Sequence, residues 1–274
     1  MADAERSWPR RLLTRAALPT SGLLALAVAA AYPAQRLMLF PAPRPVRQPA
    51  VAASELVTIA RPSGPVYAAY FPAEAGAPTI VHFHGNGEQL ADVVPFARAL
   101  HARGFGVVAA EYPGYGLAAS QSPSERALYD AAEAVVAHLR DAWSIPLSSI
   151  VLSGHSLGTG VATEMAKRGL GAKLVLSAPY TSIADMAGVL VPFLPARYLV
   201  RDRFDNVAKA PEVKQPTLIV HGTKDDLIPF AMGQRLAGVF PDARLVPIDG
   251  GHHNDLFASF RRELIGAIGR FVAE

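Results

Sequence analysis

The stretch Ile150-Val151-Leu152-Ser153-Gly154-His155-Ser156-Leu157-Gly158 reads as a strand, a sharp turn and the start of a helix. The apolar run suits a buried strand, and residues 161–168 behind it are rich in helix formers. The turn matches G-x-S-x-G. In such a turn the serine backbone is strained so that Oγ stands clear of the sheet. Side chains larger than Gly154 and Gly158, two residues to either side, would collide with neighbouring elements. The Leu157 amide then lies at a helix N-terminus, where an N–H can stabilise an oxyanion. A bare G-x-S-x-G arises by chance, but the strand before and the helix after supply the context that the motif requires.

Working outward, the same alternation repeats. Thr79–Phe83 and Gly106–Ala110 are compact apolar runs, with a helical pattern at 96–103 between them. Ser122-Pro123-Ser124-Glu125 opens a helix running to about Trp143, with Ser122 as cap, Pro123 in the first turn and Glu125 closing a capping box. Residues 150–153, 174–177, 217–220 and 245–248 are further buried strands, each separated by a helix-length stretch, as right-handed crossovers between parallel neighbours require. Val, Ile, Leu and Ala dominate these runs, which predicts a sheet covered on both faces. The fold class is therefore α/β, with a mostly parallel, doubly wound sheet.

The chain has 274 residues, 51% hydrophobic and 18% charged, which fits one large domain plus a tail and excludes disorder. Its formal charge of +3 comes largely from arginines near the termini, and no basic stripe interleaved with aromatics points to nucleic acid. The absence of cysteine excludes disulfides, thiolate zinc sites and cysteine nucleophiles. No cluster suggests a metal or an organic cofactor: His82 and His84 lie along a strand and loop without a partner motif.

Residues 16–35 carry no charge and follow Arg10, Arg11 and Arg15. Twenty helical residues span about 30 Å, one hydrocarbon core. Residues 1–36 are therefore expected to be a membrane anchor with its basic end inside, or a cleaved signal segment ending near Ala29-Ala30-Ala31. A twin-arginine signal and an ordinary soluble helix are the other readings. The targeting readings place the domain beyond the cytoplasmic membrane, on the periplasmic side or secreted. Residues 37–50, with four prolines at 41–50, are expected to be a stiff linker, and 51–274 the folded domain.

From about Gln35 onward the chain resembles the α/β-hydrolases of the Bem46 type, related to the membrane-anchored ABHD serine hydrolases. The resemblance is carried by Leu39-Phe40-Pro41, Phe83-His84-Gly85-Asn86-Gly87, Glu111-Tyr112-Pro113-Gly114-Tyr115-Gly116, Ser122-Pro123-Ser124-Glu125, the serine turn, Arg203-Phe204-Asp205-Asn206, His221-Gly222-Thr223-Lys224-Asp225 and His253-Asn254-Asp255-Leu256. These matches stand in the family's order. The resemblance implies the α/β-hydrolase fold and a catalytic triad in the chain order Ser, acid, His. Ser156 would be the nucleophile. The family pattern G-x-x-D-x-x-[IV]-P places the acid on Asp225, with Asp226 as the alternative. The pattern G-x-x-H-N-D places the base on His253, whereas a G-H frame would select His252; His252 stands where the family has a small residue. The loop after Thr79–Phe83 should supply the second oxyanion donor, with Gly85 allowing close backbone approach and the Asn86 N–H beside that of Leu157. His84 is expected to bridge loops rather than act as a base.

Residues 179–215 leave room for one or two short helices, hence a small cap and an open site. Residues 190–195 are apolar and would either line an acyl pocket or pack on the core. The resulting expectation is an ester or thioester hydrolase working through an acyl-enzyme on a small-molecule or lipid-like substrate. A peptidase or amidase with the same triad, and a non-catalytic membrane-anchored binding module, are the competing readings. Ser156 excludes chemistry that needs an aspartate at the turn.

Overall fold

Apolar runs that do not alternate with polar residues need cover on both faces, and such runs form the centre of the sheet. The computed structural model describes residues 35–192 and 196–274. Eight strands form one sheet: β1 (Leu56–Ile59), β2 (Val66–Phe71), β3 (Thr79–Phe83), β4 (Gly106–Ala110), β5 (Ile150–His155), β6 (Lys173–Ser177), β7 (Thr217–Gly222) and β8 (Ala243–Ile248). Their order is β1-β2-β4-β3-β5-β6-β7-β8. The β1–β2 and β2–β4 pairs are antiparallel, and the rest are parallel. Every residue of β3, β4, β5 and β7 is buried.

Strand side chains alternate between faces. Ile80, Val107, Val151, Val175 and Leu218 join one buried cluster with helices α1 (Leu90–His101) and α8 (Arg261–Ala273). Helices α2 (Glu125–Ala142) and α3 (Leu157–Lys167) bury Leu128, Leu139, Val161 and Met165 outside that cluster, against the opposite face. Between β6 and β7 run three short helices, α4 (Ile183–Leu190), α5 (Ala196–Leu199) and α6 (Asn206–Lys209), which form the small cap. Ser182 caps α4, its Oγ accepting the Asp185 amide at 2.9 Å. Leu190 is 57% exposed, so it does not pack on the core; residues 193–195 lie outside the described residues. Helix α7 (Phe230–Ala237) packs on β7 and β8.

Three expectations need correction. The cap of α2 is Ser124, whose Oγ accepts the Ala127 amide at 3.1 Å, not Ser122. Glu125 is already helical and instead accepts the Arg203 amide at 2.7 Å, joining α2 to the cap rather than closing a box. Strands β1 and β2 were not anticipated, because β1 is an edge strand whose residues are all at least partly exposed and so carries no strong pattern.

The third concerns residues 37–50. From Phe40 onward they belong to the compact unit of residues 40–274. Phe40 is buried and meets Phe204 edge-on at 6.3 Å between ring centroids. The Arg47 amide donates to Gln89 Oε1 at 2.9 Å, Gln89 Nε2 donates to the Pro45 carbonyl at 3.3 Å, and the Arg47 guanidinium pairs with Asp92. Beyond the Ala42 amide, which donates to the Phe40 carbonyl at 2.9 Å, this proline-rich chain satisfies polar groups on the domain. Residues 1–34, where the hydrophobic helix is expected, lie outside the described residues. Among the described residues no helix is long and apolar enough to cross a membrane.

Phe40→Ala should lower unfolding free energy by about 3 kcal/mol, the usual cost of emptying a buried phenylalanine site. Urea denaturation of the domain measures this. An unchanged midpoint would mean that residues 40–50 are a spacer after all.

Candidate active site

All four segments singled out by sequence emerge at the carboxyl ends of parallel strands, where open α/β sheets place their ligands. Ser156 follows β5, Asp225 follows β7, His253 follows β8, and the 84–88 loop follows β3.

Ser156 sits at φ 48°, ψ −115°, a conformation that a non-glycine residue adopts only when its surroundings enforce it. Its amide donates to the Ser177 carbonyl at 3.0 Å, and its carbonyl accepts the Thr159 amide and hydroxyl at 3.0 and 2.6 Å. The flanking glycines are dictated by backbone contact. A Cβ on Gly154 would lie 2.3 Å from the Gly158 carbonyl oxygen, and one on Gly158 would lie 2.0 Å from the Phe83 carbonyl oxygen.

Asp225, His253 and Ser156 form a continuous chain. His253 Nδ1 lies 2.8 Å from Asp225 Oδ2, and Nε2 lies 3.1 Å from Ser156 Oγ. An ionised carboxylate only accepts, so Nδ1 carries the proton and the Nε2 lone pair faces the serine hydroxyl. His253 is 4% exposed. His252 points the other way: its side chain is half exposed and 3.8 Å from the exposed Asp226. The structure thus brings His253 and Asp225 to Ser156, and leaves His252 and Asp226 at the surface.

Burial alone would raise the Asp225 pKa. Hydrogen bonds from His221 and His253, the charge of His253 and the Ile228 amide outweigh it and hold the carboxyl below its ordinary value. Oδ1 accepts the amides of Leu227 and Ile228 at 3.0 and 2.7 Å. His221 is a functional neighbour that the sequence reading used only as a motif letter. Its Nε2 lies 3.2 Å from Asp225 Oδ2 and 3.0 Å from the Ile228 carbonyl, both acceptors, so Nε2 carries the proton. The i, i+4 spacing of His221 and Asp225 was the available signal.

The 84–88 loop is fastened at several points. His84 is fully buried, with Nε2 3.1 Å from Glu111 Oε1 and Nδ1 2.8 Å from the Gly85 carbonyl. Burial disfavours charge on His84, but the Glu111 and Glu88 carboxylates outweigh it and raise its pKa. Tyr112 Oη donates to the His84 carbonyl at 2.9 Å, and Tyr115 Oη to Asn86 Oδ1 at 2.8 Å. These bonds hold the Asn86 side chain and leave its amide, like that of Leu157, without an acceptor among the described residues. Glu88, also missed in the sequence, accepts the Gly85 amide at 2.5 Å. Elsewhere in the strands, His82 is buried against Ser153 at 3.0 Å, and burial pushes its pKa down to about 3. Among the described residues no group of side chains could hold a metal ion.

With this geometry in hand, comparison with known proteins places the chain. Residues 77–204 match the family described as serine aminopeptidase, S33 (Hydrolase_4). The chain is 33% identical over 208 residues to the uncharacterised protein Rv2307c of Mycobacterium tuberculosis, covering 75% of this chain and 74% of that one. It is 32% identical over 191 residues to the alpha/beta hydrolase domain-containing protein 17C of Xenopus tropicalis, covering 68% of this chain and 60% of the relative. Among solved structures, the Butyrivibrio proteoclasticus protein Est1E with ferulic acid bound superposes with a TM-score of 0.67 at 17% identity, over 79% of this chain and 98% of that one. The chain belongs to the α/β-hydrolase superfamily.

Two outcomes follow from this geometry. Gly158→Ala should lose at least about 3 kcal/mol or fail to fold, because the obstructing atoms are backbone and cannot swing aside; thermal unfolding beside wild type tests this. For Glu88, burial raises the pKa, but His155, His84 and the Gly85 amide lower it from 4.5 to about 2. A depressed carboxylate contributes stability above its unfolded pKa and loses it as pH falls through the folded value. Wild type should therefore lose more stability between about pH 4.5 and 2 than Glu88→Gln does. Parallel acid titrations of unfolding free energy would refute this by superimposing.

Proposed function

We propose that this protein is a serine hydrolase that cleaves carboxylic esters or thioesters through an acyl-enzyme intermediate. The observation that carries the reading is the unbroken Asp225–His253–Ser156 hydrogen-bond chain on a strained turn. His253 takes the Ser156 proton as Oγ bonds to the acyl carbon. The amides of Leu157 and Asn86 hold the negative oxygen of the tetrahedral intermediate. That intermediate collapses by breaking the bond to the leaving alcohol or thiol, which receives its proton from His253. Water then loses a proton to His253 and attacks the acyl-enzyme, and the second collapse returns the proton to Ser156 and frees the acid. Asp225 holds the imidazole in the required tautomer and balances the imidazolium, while His221 holds Asp225.

The small cap favours short or medium acyl chains, or an acyl group carried on a larger molecule. The family description matched by residues 77–204 keeps amide cleavage as the second reading, since the same triad serves both. The uncharged run at 16–35 behind three arginines supports a placement of the domain outside the cytoplasmic membrane, tethered or released.

The test is hydrolysis of p-nitrophenyl acetate, butyrate and octanoate beside aminoacyl p-nitroanilides, with fluorophosphonate labelling. Ser156→Ala should abolish both turnover and labelling. His253→Ala should lose on the order of 10³-fold or more in kcat, whereas His252→Ala stays within about threefold. Activity surviving Ser156→Ala, or wild type that neither labels nor turns over ester, would sink the reading. Anilide turnover exceeding ester turnover would move it to amides.

A further inference from the structure

We propose that Glu88 is a positioning residue that locks the loop bearing the Asn86 amide to the turn bearing Ser156. The inference rests on the serine-hydrolase reading above and goes beyond it by assigning a residue outside the triad. One oxygen of Glu88, Oε2, accepts the Gly85 amide at 2.5 Å and faces His155 Nδ1 at 3.2 Å. Gly85 precedes Asn86, and His155 precedes Ser156. The carboxylate therefore stands between the direct chain neighbours of the two catalytic segments. Held ionised, it can only accept, so His155 Nδ1 carries a proton toward it.

The packing leaves this joint little play. A Cβ on Gly85 would lie 2.7 Å from His155 Nδ1 and 2.8 Å from Glu88 Oε2, so the glycine is needed by the pair as much as by any substrate. His155 is 5% exposed, stacked on the His253 ring at 5.4 Å and against Phe257 at 4.2 Å. The two segments come from different strands, and the Phe83–Gly154 pairing is where the sheet last holds them together. Beyond that point Glu88 sets their separation, and with it the distance from oxyanion donor to nucleophile. A displaced donor loses most of its effect on the transition state while leaving ground-state binding alone.

The experiment compares Glu88→Ala and Glu88→Gln with wild type for kcat and KM on p-nitrophenyl butyrate. The affinity of a trifluoromethyl ketone, whose hemiketal oxygen occupies the oxyanion position, is measured beside them. Glu88→Ala should lose on the order of 10²-fold in kcat with KM within about threefold, and ketone affinity should fall in parallel. Glu88→Gln keeps an acceptor for the Gly85 amide and should lie roughly three- to tenfold below wild type in both. A loss confined to KM, unchanged ketone affinity, or Glu88→Gln equal to wild type overturns the proposal. If Glu88→Ala fails to fold, Glu88→Gln alone decides it on the same terms. Wild type that neither labels nor turns over ester fails the underlying reading. Wild type that does both, with Glu88→Ala and Glu88→Gln equal to it in kcat and ketone affinity, fails only this one.

Discussion

The contact between Gly158 and the end of β3 governs the geometry around it. Helix α3 begins so close to the sheet that a single added carbon would fall 2.0 Å from the Phe83 carbonyl oxygen. That approach forces the chain to reverse within one residue after β5, and Ser156 takes the positive φ that results. The strain is tolerated because Ser177, Thr159 and the parallel ladder determine the backbone on both sides. Gly154 accommodates Gly158, and Gly158 accommodates Phe83, so the serine is raised by three backbones in contact. The Ser156 hydroxyl owes its position to contacts among backbones rather than to its own side chain.

Around this point the charges form two parallel arrangements. Asp225 gathers His221, His253 and two loop amides; Glu88 gathers His155 and the Gly85 amide. In each, a largely buried carboxylate is kept ionised because its hydrogen bonds outweigh desolvation. The two meet where the His155 and His253 rings stack. The 84–88 loop, the Ser156 turn and the Asp225 loop thereby become one connected structure, although they leave three different strands.

Much of this was legible in the sequence, for identifiable reasons. Runs such as Thr79–Phe83 and Gly106–Ala110 are buried on both faces and carry unmixed apolar composition, so their bounds were readable to the residue. Gly154 was readable because the collision it avoids, with the Gly158 carbonyl, is local in the chain; Gly158 was readable only through the spacing of the turn, since the atom it avoids belongs to Phe83. What escaped depended on distant partners. Strand β1 is half exposed and owes its existence to pairing with β2. Ser124 caps in place of Ser122 because the cap segment at Asp202 and Arg203 meets the helix start. His252 and His253 are adjacent and chemically identical; only the direction of the loop past β8 separates an inward ring from an exposed one. Glu88 and His221 act through neighbours 67 and 4 residues away, and composition does not mark either.

The order of the strands has a temporal meaning as well. The 84–88 loop follows β3 and Ser156 follows β5, while Asp225 and His253 follow β7 and β8, later in the chain. A chain emerging from the ribosome carries Ser156 and the Ser177 carbonyl that holds its amide before it carries Asp225 or His253. Residues 217–253 add the last two strands at one edge, and only then does the imidazole reach the hydroxyl. The Asp225–His253–Ser156 hydrogen-bond chain therefore closes only once β8 has joined the sheet. A chain cut before β7 would keep the raised serine hydroxyl and lack both the imidazole and the carboxylate that meet it.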